Sequence, residues 1–562
     1  MAAKRKSVER IKDVLIAVLF ASAILLLSFF WKDISLEDLG SLALNFQEEE
    51  TYSPEISELV CPEKEVVNFG SDSYTVLEGS QPIDEVLSEP VSPVSDFAED
   101  DQNTDEMSLY TWTKSMMQAY LKQTDLVSEQ IEKAQFDEVM SYPSVYADFG
   151  YTIPFKNYLE NNSIAAQGEN DDVSGMSMVA FSTASSENMF IYNSENDEYY
   201  RFVTGDEDFA DRMAEYLSDI INSIENSGAP MYYTISSLVG VDNETLIPLS
   251  PDSSARTLKC TEEFKISDSS AVNRMEQLFF PSGLDFVRKI TENKGSLLYN
   301  YGYNEKVLTL DESGSIFYTE TIDSSQYSDT DFYSGLELAV EYVKNHGGWT
   351  ALADDRMTPY LKDARPAESE NGKYRGYSYT FGVKADGIPL SYTGEDILSA
   401  VVYGKQVTDY RRDIVRISDD QKSGDDTELM SVIDIITGDY SEMNSLLGKK
   451  ESGGTGADAA SSEAAMDAAD SADTVEGRTD FAGTDGSESQ QSQGDSSQSS
   501  QTSINEFESF TTKINCIEFQ YLRDISGSPG TLIPAWHLRV DDTDFWCSAA
   551  DGSLLYSGEV TS

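Results

Sequence analysis

The order of apolar and polar positions divides the chain into an anchor, an acidic stretch and three folded regions. From Val14 to Trp31 (VLIAVLFASAILLLSFFW) no charge interrupts 18 residues. At about 1.5 Å per residue a helix of that length just crosses the hydrocarbon core of a bilayer. Residues 33–106 show no sustained period and carry Pro54, Pro62, Pro82, Pro90 and Pro93, a pattern expected of an acidic, disordered stalk broken only by an extended patch near Val66–Leu77. Helical spacing begins at Met107, where Leu109, Trp112, Met116, Tyr120 and Leu121 share one stripe. A second helix is expected over Leu126–Met140, then strands in PSVYADFGYTIPF, MSMVAFS and NMFIYN, then a helix over Phe209–Ile224 capped by Asp206 or Asp208 and ended by Gly228.

From Arg256 the pattern repeats. Two short helices around Pro281 (VNRMEQLFF and LDFVRKITEN) lead into LLYNYGYNEKVLTLDESGSIFYTET, an alternating meander with turns at Asn304-Glu305 and Ser313-Gly314. A helix over Gly335–Asn345 follows, with Ser334 and Glu337 as its capping box and Gly347 past its end. YSYTFGVK, ILSAVVY and QVTDYRR then alternate through Asp386-Gly387 and Gly404-Lys405. A third copy pairs the apolar spacing of Leu429–Ile436 with CIEFQYL, IPAWHLRV, DFWCSA and SLLYSG. Between its helix and its strands lies a Ser-, Gly-, Ala- and Gln-rich stretch, 448–503, expected to be a disordered insertion.

The pattern predicts an α+β protein: an N-terminal single transmembrane helix, then repeated helix-plus-antiparallel-β-meander units outside the membrane. The expected divisions are a cytoplasmic tail (1–13), the spanning helix (14–31), the stalk (33–106), an α+β domain (107–255), a central region (256–426), and a C-terminal unit (427–447 plus 504–562) around the insertion.

Charge sharpens the orientation. Lys4, Arg5, Lys6, Arg10 and Lys12 precede the apolar run, and Asp33, Glu37 and Asp38 follow it. The positive-inside rule therefore places the N-terminus in the cytoplasm and residues 33–562 outside, in a single-pass plasma-membrane protein. A cleaved signal peptide wants a shorter apolar core with small residues after it, whereas Ala21-Ser22-Ala23 sit mid-run and aromatics close it. A buried core helix is seldom free of polar residues over such a length. The net charge is −61, from 39 basic and 100 acidic residues, and this excludes nucleic acid as a partner because phosphate contacts need a basic face. About half of the excess lies in the stalk and the insertion, where it keeps chain soluble and extended.

Candidate chemistry is sparse. The chain holds two histidines, His346 and His537, and lacks the spacings of H-E-x-x-H, G-x-S-x-G, a P-loop and G-x-G-x-x-G. His346 falls at a helix end and His537 beside Trp536, so both are expected to be structural. Four cysteines without C-x-x-C give neither a disulfide framework nor a zinc motif. No catalytic, cofactor-binding or metal-ligating residue is therefore assigned. Cys516 and Cys547 are expected to lie on strands either side of a third, opposite Val540 and Leu538, too far apart to bridge. Paired-carboxylate glycosidase chemistry stays open, since carboxylate separation is invisible in sequence.

The layout of short basic tail, one spanning helix and external α+β chain resembles the YycH/YycI family, membrane-anchored regulators of the WalK–WalR (YycG–YycF) two-component system of Gram-positive bacteria. The resemblance rests on LFFPSGLDFVRKI with LLYNYGYNEKVLTLDESGSIFY, on VEYVKNHGGW, and on YTFGVKADGIPLSYTGEDILSAVVYGKQVTDYRR. LIPAWHLRVDDTDFWCSAADGSLL is similar to PepSY-type strands. The resemblance implies a non-enzymatic, cofactor-free role: binding a sensor histidine kinase at the membrane, beside a paralogous regulator, and tuning it. A PepSY-like module that binds a secreted peptidase and a cell-wall glycosidase are the alternatives. Within the membrane, Ala17, Ala21, Ile24 and Ser28 follow 4-3-4 spacing and form a mostly small-residue stripe, the candidate face for a partner's spanning helix.

Overall fold

The computed structural model describes residues 52–78, 108–164, 172–248, 255–292, 295–325, 327–352, 356–369, 372–393, 396–418, 429–452, 505–523 and 530–559. The expected spanning helix with its Ala17, Ala21, Ile24 and Ser28 stripe lies outside these residues, as does the insertion from 453 to 503. Among the described residues no helix is long and apolar enough to cross a membrane. The architecture is α+β, with helices packed on two large sheets.

The first sheet is built from β1 (Lys64–Gly70), β2 (Ser73–Glu78), β3 (Val127–Ile131), β4 (Ser144–Pro154), β5 (Gly175–Ser182), β6 (Asn188–Asn193), β7 (Glu198–Val203), β8 (Tyr232–Thr234) and β9 (Leu246–Pro248). Its order is β3-β7-β6-β5-β4-β1-β2-β8-β9. β1 and β2 are the extended patch expected near Val66–Leu77, and the stalk expectation is corrected for the described residues before it, 52–63, which include a short helix over Ile56–Leu59. EVVNF and YTVL alternate around a turn at Ser71-Asp72, pairing Val66 with Val76, and β1 pairs with β4 on its other edge. Asn68 anchors this hairpin by donating to the carbonyls of Met140 and Tyr142.

Helices α1 (Ile56–Leu59), α2 (Leu109–Leu121), α3 (Lys133–Met140), α4 (Phe155–Asn161) and α5 (Glu207–Glu225) surround this sheet. The α2 stripe is buried as expected, and Tyr120 meets Phe209 of α5 edge-to-face. Asp206 caps α5 by accepting from Phe209 N–H. On the opposite face Phe136 of α3 packs against Phe190 and Tyr199. The helix expected over Leu126–Met140 is in fact β3 followed by α3. The VSEQI run lies along β7, where Val127 meets Val203 and Glu129 pairs with Arg201, so sheet pairing overrides local helical spacing. After α6 (Ile235–Val239) and the edge strand β9, the chain enters the second sheet.

That sheet contains β10 (Leu258–Glu262), β11 (Val287–Thr291), β12 (Leu297–Tyr301), β13 (Lys306–Leu310), β14 (Ile316–Glu320), β15 (Met357–Glu368), β16 (Arg375–Ala385), β17 (Ile388–Ser391), β18 (Leu398–Tyr403), β19 (Gln406–Arg412) and β20 (Val415–Ile417). It is completed by β21 (Ile514–Arg523), β22 (Thr531–Val540), β23 (Thr543–Ser548) and β24 (Leu554–Glu559). Before Pro281 stands α7 (Ser269–Phe279), but the second expected helix is strand β11, paired with β12 from Val287↔Tyr301 to Thr291↔Leu297. Gly283 and Phe286 both take positive φ, which ends helical geometry before VRKIT begins.

α8 (Phe332–Asn345) starts one turn earlier than expected, because Asp331 rather than Ser334 is the cap and accepts from Ser334 N–H. At its end Gly347 adopts φ +129 and Gly348 φ +79, and Gly348 N–H returns to Val343 O. Asp386-Gly387 has the double positive φ of a tight hairpin turn. One continuous apolar core joins both sheets across residue 255, with Tyr151 of β4 stacked on Phe332 of α8. A second core lies between α9 (Val432–Ser452) and one face of β22–β23: Val432, Ile435, Ile436 and Met443 against Trp536, Leu538, Val540, Phe545 and Cys547.

Candidate functional site

The other face of β21–β23 is polar, and a β-bulge sets it up. In a regular strand Cys516 would share the side of Ile514, which is buried in the α9 core. Asn515 is instead an extra residue: Ile514 pairs with Val540 and Cys516 with Arg539. From there Cys516, Glu518 and Gln520 point to the face opposite the α9 core, while Ile517 and Phe519 return to it. Directly across, Glu518 faces His537, His537 faces Trp546, and Arg539 faces Asp544.

His537 is the centre of this arrangement, only 5% exposed. Its ring stacks on Trp546 at 4.5 Å. Nε2 lies 2.8 Å from Asp544 Oδ1, and Asp544 is held in turn by Arg539 Nε at 2.7 Å. Nδ1 makes no hydrogen bond and sits 3.6 Å from Glu518 Oε2. Gln520 fixes that carboxylate by donating to Oε2 at 2.6 Å. Cys516 Sγ, a Glu518 oxygen and a His537 nitrogen lie within 4.8 Å of one another. These three side chains are of the kinds that bind borderline divalent metals.

The electrostatics follow from burial and neighbours. Burial works against a charged His537, but the Asp544 and Glu518 carboxylates overcome it and raise the imidazole above its usual range. Burial also pushes the Asp544 carboxyl up, yet His537 and Arg539 hold it at about 2. Glu518 is likewise held low by His537 and Lys64 against its own burial. Glu63, from the loop before β1, is raised by burial and by the Glu518 charge. Burial, then Glu518, pushes the Cys516 thiol up. Lys64, paired with Asp148 at 3.9 Å, brings the first sheet's charge to the same place.

No family model matches the chain, and no curated protein matches it. Among solved structures, the crystal structure of YycH from Bacillus subtilis is similar, with 13% sequence identity and a TM-score of 0.43. The match covers 91% of this chain and 98% of that one. At that identity and score the likeness carries no inference about residues or activity.

The fold brings Cys516, Glu518 and His537 together, a meeting that the linear sequence does not display. The available signal was C-x-E on one strand and a histidine on the next, but without the bulge the phase of Cys516 is wrong. The expected partners Val540 and Leu538 are also corrected: Cys516 lies opposite Arg539 and Cys547 opposite Trp536. Both cysteines are free thiols, with β22 between their strands. His346 stacks on Tyr342 at 3.8 Å, its Nδ1 lies 2.9 Å from Tyr342 O, and burial lowers its pKa.

On the α9 side a cleft of about 600 Å³ opens between α6 and α9, lined by Ile235, Leu238, Ile433, Ile436, Tyr440 and Phe507 among others. Its one carboxylate is Glu508. Asn243, beside the cleft's α6 wall, donates to the carbonyls of Thr511 and Ile514, tying the first sheet to the C-terminal unit.

Proposed function

We propose that this chain is a membrane-anchored, extracytoplasmic, non-enzymatic regulator that binds and tunes a sensor histidine kinase of a cell-envelope two-component system. The observation that carries the proposal is the assembly of the three segments on which the family resemblance rests. β11–β14 and β16–β19 are one continuous ladder through the β14–β19 pairing. α8, ending in the NHGGW motif, lies on β16, β18 and β19. Gly347 seats directly on the buried Arg412 guanidinium, and Trp349 donates to Val340 O at 3.1 Å. Motifs remote in sequence thus form a single packed unit.

The apolar cleft supports a binding role over the glycosidase alternative. Among the described residues, this lining presents an apolar surface with the single carboxylate Glu508, where glycoside hydrolysis at this cleft would need two flanking one bond. The PepSY-like alternative, binding of a secreted peptidase, draws on α9 and β21–β24 having their own core. Crosslinking the full chain in membranes and identifying what co-purifies in detergent separates them. The proposal expects a histidine kinase, and recovery of a peptidase without a kinase would favour the alternative. The proposed membrane contact is the Ala17, Ala21, Ile24 and Ser28 stripe, because helices in lipid associate through close backbone approach at small residues. Ala17→Leu with Ala21→Leu should then lower crosslinking while leaving insertion intact, whereas Leu19 and Leu26 variants should not.

A further inference from the structure

We propose that Cys516, Glu518 and His537 form a three-ligand site for Zn²⁺ on the polar face of the C-terminal sheet. Three observations support it independently of the kinase reading. The ligand atoms lie within 4.8 Å of one another, so side-chain rotations of about an ångström bring them to the spacing of about 3.6 Å that a tetrahedral zinc sets between its ligands. The second observation is the buried histidine. Its Nε2 is engaged by the Asp544 carboxylate, so in the neutral ring the proton resides there and the Nδ1 lone pair faces Glu518 and Cys516 without a hydrogen-bond partner. A carboxylate behind a histidine fixes the tautomer and increases the basicity of the metal-binding nitrogen. Gln520 plays the corresponding part for Glu518, and Arg539 for Asp544.

The third is charge. Glu63, Asp148, Glu518 and Asp544 face this region, against the cations Lys64, Lys362 and Arg539. A divalent cation offsets that excess of negative charge. On binding, the Cys516 S–H bond breaks, a zinc–sulfur bond forms, and the proton leaves to solvent. Three protein ligands leave one tetrahedral position for water or for an atom supplied by a partner. The competing arrangement is a metal-free one, with a protonated His537 held between Glu518 and Asp544.

The two are separated with the full chain, purified in detergent, reduced and stripped of metal. Zinc affinity is measured by competition with a chromophoric chelator, and Co²⁺ serves as the spectroscopic probe. The proposal expects one tight Zn²⁺ per chain and a thiolate-to-cobalt charge-transfer band. Zinc should also raise the melting temperature of the wild type. Cys516→Ser should abolish the band and the thermal shift, and weaken zinc by more than about 100-fold, while Asp544→Asn, which leaves all three ligands, should weaken it by about 10–100-fold. Cys547→Ser, on the α9 side of the sheet, should leave both intact. Cobalt binding without the band, or equal zinc affinity in wild type and Cys516→Ser, would overturn the site. Such binding would belong to the chain's many surface carboxylates, and the cluster would be the metal-free ion network.

Discussion

Replacing Glu65 with Gln should stabilise the first sheet by an amount that grows with pH. Glu65 is central in β1, between Leu77 of β2 and Ala147 of β4, and is 0% exposed. Among the described residues no donor lies in hydrogen-bond geometry with either carboxyl oxygen, and the neighbouring Thr113 hydroxyl of α2 favours the charged form less than burial opposes it. Burial therefore holds this carboxyl protonated, with a pKa well above the ordinary value. In the unfolded chain the same carboxyl ionises near about 4.3. Above that pH the folded state binds the extra proton, so stability falls as pH rises until the folded pKa is passed. The loss is about 1.4 kcal/mol per pH unit across that window. Glu65→Gln keeps the shape and removes the titration. Its stability relative to wild type should be close to zero near pH 4.5 and increasingly favourable towards pH 8. Hydrogen–deuterium exchange of the β1 amides, with wild type and variant compared at each pH, reads this opening locally. A constant difference from pH 4.5 to pH 8 would show that Glu65 does not hold its proton and would refute the reasoning.

Glu263→Gln should destabilise the second sheet by about 3–5 kcal/mol in denaturant unfolding, because it strips the bidentate partner from a buried guanidinium. Arg412 is 1% exposed and donates to both Glu263 oxygens at 2.8 Å. Gly347→Ala should lower the melting temperature, since a β-carbon there would lie 2.7 Å from Arg412 Nε at φ +129. Gly438→Ala in α9, with nothing within 4 Å, should instead stabilise by about 0.5–1 kcal/mol.

Much of the second sheet was legible because its turns are written in residue chemistry. Asp386-Gly387, Gly404-Lys405 and Ser313-Gly314 mark hairpins, and the strands between them alternate cleanly. Amphipathic helices with a full apolar stripe, α2 and α5, were equally plain. What failed did so for tertiary reasons. β3 and β11 are short and charged, and only their neighbours β7 and β12 make them strands. The β1–β2 patch shows in its alternation, but its place in the sheet beside β4 does not, and there Lys64 meets Asp148 while Glu65 keeps its proton. The Cys516, Glu518 and His537 cluster depends on one extra residue, Asn515, which resets the register between the consecutive strands β21 and β22. Periodicity cannot report a bulge.

If the chain tunes a sensor kinase across the membrane, the autophosphorylation rate of the captured kinase, reconstituted in liposomes alone and with the full chain, should differ between the two. The wild-type chain should shift that rate, and the Ala17→Leu, Ala21→Leu variant should shift it less. An autophosphorylation rate unaffected by the wild-type chain, with both proteins shown to be inserted, would contradict the proposal.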